Sequence, residues 1–123
     1  MTGGSFQQAF LYKADFTAAR FDRCIMDKSY AMGACMPLLQ AKESRFIESA
    51  LDGSNMRYAN LLGSSFTGTR LCGADLRDAN LYCADMRNAV LGETDFSRAN
   101  LGRTVIEGQG GRFRKKPHPA EEM

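Results

Sequence analysis

Ala74-Asp75-Leu76-Arg77-Asp78-Ala79-Asn80-Leu81-Tyr82-Cys83-Ala84-Asp85-Met86-Arg87-Asn88 repeats one five-residue phrase three times. Each copy has Ala first, Asp or Asn second and a large apolar residue third. Outward from this stretch the phase never breaks: all 21 residues at every fifth position from Phe6 to Ile106 are apolar. At 44% apolar composition such a run has a chance probability on the order of 10^-7, so the period is real. Two positions before each of these lies a second ladder, Gly4 to Thr104, in which Leu39 alone is not small.

A helix repeats its buried positions every 3.6 residues and a strand every 2, so a strict five fits neither. It requires a backbone that turns once per unit. If the large and the small residue both point inward, the chain must coil around them, each layer stacked about 4.8 Å above the last, the spacing of paired strands. The product is a solenoid in which each coil touches only its neighbours.

The phrase recurs as Ala99-Asn100-Leu101-Gly102-Arg103. It resembles the pentapeptide-repeat family, whose unit is Ala-(Asp/Asn)-Leu-x-x, over residues 4 to 107. The resemblance implies an all-β fold, a right-handed quadrilateral β-helix of about five coils, with one unit on each side of a square tube. Residues twenty apart would then stack in four internal columns: Phe6, Met26, Phe46, Phe66, Met86 and Ile106; Leu11, Ala31, Leu51, Leu71 and Leu91; Phe16, Met36, Met56, Leu76 and Phe96; Phe21, Ala41, Leu61, Leu81 and Leu101. Phe6, Phe16, Phe21, Phe46, Leu61, Phe66, Leu71, Leu76, Leu81, Leu91, Phe96 and Leu101 are its expected structural core.

The β-helix domain is expected to span 1–107, with an irregular stretch at 31–43. There the large positions shrink to Ala31 and Ala41, Leu39 takes a small position, and Pro37 removes a backbone donor. A bulge or loop is expected there. Residues 108–123 read as a flexible basic tail, with Gly108, Gly110, Gly111, Pro117 and Pro119 among Arg112, Arg114, Lys115 and Lys116.

Charge and end composition narrow the function. Residues 1 to 107 carry 12 basic and 12 acidic side chains, so the net charge of +2 belongs to the tail. Nucleic-acid contact is expected to be weak and confined to that tail. No segment has the apolar length of a membrane span, and no basic region followed by an apolar run opens the chain. The default location is therefore cytoplasmic, with export by a signal-independent system as the other course. Cys24, Cys35, Cys72 and Cys83 fall at different places within their units and read as separate substitutions, not a disulfide or metal framework. Neither end carries an evident cap, so a second copy, a partner or a further domain is expected to cover at least one.

No nucleophile elbow, phosphate loop, zinc motif or dinucleotide fingerprint is present. No cofactor, metal or catalytic residue is expected. Asp15, Asp75 and Asp95 occupy the Asp/Asn position of the repeat, where side-chain to backbone hydrogen bonds in turns explain them. Asn60, Asn80 and Asn100 form a similar row, expected to bond along the rod.

Function should lie on the outward positions. Phe10, Tyr12, Tyr30 and Met32 would cluster on the first two turns of one face, an aromatic patch suited to a protein partner or to self-association. Tyr58, Leu62 and Tyr82 form a weaker second cluster. The expected function is a non-catalytic protein-interaction scaffold or adaptor; the resemblance adds a module of a bacterial secretion system or effector as one setting. The alternative that it implies is a DNA mimic that modulates or protects DNA gyrase. A neutral rod departs from the acidic surface that mimicry needs.

Overall fold

The computed structural model describes residues 3–106 and the backbone of Phe113–Arg114. Every unit follows one local course. The large apolar residue starts a two-residue turn, a small residue ends it, and the next residue bridges to the coils on either side. The second turn residue has positive φ in all 20 units that start from Phe6 to Leu101, 15 of them non-glycine, among them Lys13 at 54° and Tyr58 at 60°. With the bond from Ala9 N–H to the Phe6 carbonyl at 3.0 Å, and its equivalents, this is the signature of a type II turn.

One turn per unit and bridges between residues twenty apart make a four-sided coil. The rungs run in parallel, as in Phe10↔Tyr30↔Ala50↔Arg70↔Val90 and Asp15↔Cys35↔Asn55↔Asp75↔Asp95. Each inner unit makes three interlayer backbone bonds. In the unit of Ala31 these are Tyr30 N–H to the Ala9 carbonyl (2.9 Å), Ala31 N–H to Ala50 (2.8 Å) and Gly33 N–H to Asp52 (2.9 Å). Coils are counted below as the 20-residue segments beginning at Phe6, Met26, Phe46, Phe66 and Met86.

The four expected columns form the core. Phe46, Leu61, Phe66, Leu71, Leu76, Leu81, Leu91 and Phe96 are fully buried, and Phe46 lies flat on Phe66 with ring centroids 4.9 Å apart. Phe21 is buried and meets both Phe6 and Phe16 at 5.2 Å. Phe6, Phe16 and Leu101 are only partly buried, because coils at the ends lack a neighbour on one side.

The small ladder also satisfies buried carbonyls. Where its residue is Ser or Thr, the hydroxyl donates to the carbonyl of a large residue. Ser64 donates to Ala41 (2.7 Å) and Thr94 to Leu71 (2.6 Å), both one coil below, and Thr69 likewise to Phe46. Each buried hydroxyl therefore has its partner, as the interior requires.

The expected bulge at 31–43 is absent. Tyr30↔Ala50, Cys35↔Asn55 and Gln40↔Asn60 keep the ladder in step. Pro37 is the first turn residue, where proline suits a type II turn and where no backbone acceptor awaits the missing N–H. Its carbonyl still accepts from Ala18 N–H at 2.9 Å. Leu39, Ala31 and Ala41 are all fully buried, so a large-for-small exchange keeps the coil filled.

Two short strands close the description: β1 (Thr94–Asp95) pairs in parallel with β2 (Phe113–Arg114), Thr94 opposite Phe113 and Asp95 opposite Arg114. The rest of the expected tail, 108–112 and 115–123, lies outside the described residues. Among the described residues no helix is long and apolar enough to cross a membrane.

Candidate functional site

The aromatic residues expected on one face are there. Phe10 and Tyr30 occupy the bridging positions of adjacent coils, which the ladder holds in direct register, so their rings stack at 5.1 Å and 10°. Phe10 remains 83% exposed and Tyr30 44%. Tyr12, 60% exposed, carries the ammonium of Lys13 over its ring at 5.3 Å. Met32 is half-buried one coil above Tyr12.

Beside this ledge, around the corner of the tube, runs an open groove of about 480 Å³ lined by Gln8, Phe10, Lys28, Tyr30 and Glu48. Gln8, Lys28 and Glu48 are second turn residues of three successive coils, and the turn carries their side chains outward. Neither Lys28 nor Glu48 has an ion-pair partner among the described residues. These three escaped the sequence reading, although the fifth-residue frame contains them: each lies two residues before the aromatic row, across a corner.

In the second aromatic cluster Leu62 and Tyr82 hold equivalent positions of adjacent coils. Tyr58 lies against the Arg57 guanidinium at 5.3 Å, while Tyr82 covers Gly102 so closely that a Cβ there would stand 2.8 Å from the ring.

The carboxylate row turns to the backbone, not to solvent chemistry. Asp15, Asp75, Asp85 and Asp95 accept the N–H of Thr17, Arg77, Arg87 and Ser97 at 2.9 to 3.1 Å, each closing its own turn. Asn60, Asn80 and Asn100 do the same for Leu62, Tyr82 and Gly102, and Asn80 also donates to Asn60 at 3.3 Å. In three units that lack Asp or Asn in that place, an aspartate one coil below substitutes: Asp22 accepts from Lys42, Asp27 from Ile47 and Asp52 from Cys72.

These bonds set the acidities. The hydroxyl and N–H of Thr17 hold Asp15 below the usual carboxylate range, and at Asp85 the Arg87 guanidinium does so against partial burial. At Asp75 and Asp95 burial is the largest influence and pushes upward. The combined bonds from Arg77 and from Ser97 outweigh it, and both carboxyls finish lowered. A general acid needs the opposite shift. A carboxyl whose folded pKa lies below its unfolded value of about 4 contributes stability above that value and loses it on further acidification. The melting temperature is therefore expected to be flat above about pH 5 and to fall as pH drops through about 4, with a shallower fall in Asp75→Asn, which keeps the turn bond but loses the Arg77 pair. Thermal melts from pH 7 to pH 2 check this.

Among the described residues no group of three or more His, Cys, Asp or Glu could hold a metal, and the four cysteines are free thiols, Cys24 buried and Cys83 exposed. The sequence profile of the family described as Pentapeptide repeats matches residues 42–71 and 70–108, in eight copies. The chain belongs to the pentapeptide-repeat family. Among solved structures, this pentapeptide-repeat chain is similar to one from the Arabidopsis thaliana thylakoid lumen, at 21% identity and a TM-score of 0.54 over 88% of the chain, which spans 58% of the length of that protein. It is also similar to a pentapeptide-repeat protein of the cyanobacterium Cyanothece, at 17% identity and a TM-score of 0.50, covering 95% of this chain and 87% of that one. The likeness shows the right-handed β-helix fold. No curated protein sequence matches the chain.

Proposed function

We propose that this pentapeptide-repeat protein is a non-catalytic interaction module that binds protein through the aromatic side of its first two coils. The observation that carries this reading is the Phe10 and Tyr30 stack. An aromatic side chain 83% exposed on a regular solenoid contributes nothing to the core, and paired aromatic rings are the anchors that interfaces favour. On the other sides several charges pair with one another. Asp75 and Arg77, Asp85 and Arg87, and Asp78 and Arg98 form close pairs. That mixed charge weighs against mimicry of a phosphate backbone.

A photo-crosslinking phenylalanine analogue at position 30, compared with one at position 98 on another side, tests the reading in cells. Protein adducts are expected from position 30 and not from position 98. Phe10→Ser should reduce them at least about fivefold while leaving the melting profile unchanged, as expected for loss of an anchor. Absence of adducts at 30, or equal yield at both positions, would remove this side from consideration.

A further inference from the structure

The aromatic side is uneven along the rod in a way that a second copy of the chain would complete. In coils one and two most of its outward residues are bulky or basic: Phe10, Tyr12, Lys13, Lys28, Tyr30 and Met32, with Gln8 and Gly33 the exceptions. In coils three and four the equivalent positions are small or acidic apart from Arg70, with Ala50, Asp52, Gly53, Cys72 and Gly73 on the side and Glu48 and Gly68 at its corner. Gly53 and Gly73 leave bare backbone there, with nothing within 4 Å of where a Cβ would stand.

We propose that this side is a self-complementary surface on which two copies pack antiparallel, around a twofold axis lying between coils two and three. The proposal rests on the reading of the aromatic side as an interaction surface and names its partner. A twofold axis in the plane of contact, perpendicular to the rods, keeps each residue on its own edge and reverses the coil order. Coil one then faces coil four of the partner, and coil two faces coil three.

Under that operation size and charge fit at once. Lys28 meets the partner's Glu48 and Glu48 meets the partner's Lys28, which gives two ion pairs from groups that have no ion-pair partner among the described residues. Tyr30 lies on the partner's Ala50. Phe10 faces the partner's Arg70, whose guanidinium is held at 3.0 Å by Asp52, a cation over a ring. Tyr12 and Lys13 settle on the partner's Cys72 and Gly73. A parallel arrangement in register would instead set Lys28 beside no acid and crowd the aromatic rings of the two copies together.

The area sets the strength. Four coils at about 4.8 Å give a strip about 19 Å long, well short of the roughly 800 Å² per partner in a standard interface. The dimer should therefore be weak, with a dissociation constant of tens to hundreds of micromolar.

Sedimentation velocity on the full chain from about 10 µM to about 1 mM is the test, since it brackets that range. The wild type should pass from monomer to dimer. Lys28→Glu and Glu48→Lys should each weaken association about tenfold, because symmetry turns two attractions into two repulsions, and the double variant should recover to within about threefold. Ala50→Arg, at a position type that already accepts Arg70, should abolish the dimer without loss of folding. A carbodiimide crosslink between Lys28 and Glu48 should join light to heavy chains in an isotopically mixed sample. A strict monomer at 1 mM, single variants without effect, or a double variant without recovery would overturn the dimer. If protein adducts from position 30 persisted in a strict monomer, the interaction reading would stand and this partner alone would fall.

Discussion

Phe66→Ala is expected to lower the stability of the rod by about 3 to 5 kcal/mol, the usual range for emptying a fully buried phenylalanine site. Phe66 is 0% exposed in the fourth coil and stacks on Phe46 with planes 1° apart. A square tube filled by one large side chain per side has no second layer that could collapse into the gap. Stability here is a sum of coil terms and interfaces between coils, so a cavity in the middle weakens the coupling of the two halves. Phe16→Ala, in the partly buried first coil, should cost well under half as much, since less of its surface leaves water on folding. Urea unfolding of both variants checks this. A central loss no larger than the terminal one would contradict nearest-neighbour coupling along the rod.

The fifth-residue phase foretold which residues face inward and which residues stack, because a backbone that turns once per unit leaves no freedom in either. It located Phe10 beneath Tyr30 for the same reason: both are bridging residues twenty apart. The phase was silent on what neighbours what across a corner. Lys28 and Glu48 each end a unit whose successor carries the aromatic row, and only the turn geometry brings them to one groove with Phe10 and Tyr30. It was also silent on bonds that cross coils through side chains. Asp22 accepts the N–H of Lys42 because residue 40 is glutamine, not Asp or Asn, a compensation visible only once both coils are in place. Pro37 misled for a simpler reason. Its lost donor matters only where a partner exists, and the first turn residue donates to side chains alone, as Arg57 does to Asn55 at 3.1 Å.

The second coil offers the sharpest test of how the tube is filled. Its four large positions hold Met26, Ala31, Met36 and Ala41, so two of four are reduced to a methyl group, yet all are fully buried. Leu39, two residues before Ala41 and also at 0% exposure, supplies the missing volume from a position that elsewhere is small. Leu39→Ala should then cost about 2 to 5 kcal/mol, since neither Ala31 nor Ala41 can reach into the space. Ala41→Leu alone should also destabilise, by about 1 to 3 kcal/mol, through overpacking against Leu39. Together the two substitutions restore the ordinary pattern of the repeat, small then large, at conserved volume. The double variant should lie within about 1.5 kcal/mol of the wild type, an interaction energy beyond what separate sites show. Chemical denaturation of all four proteins closes the cycle. Additive losses would mean that Leu39 fills a space other than that left by Ala41, and the pairing of these two positions would have to be abandoned.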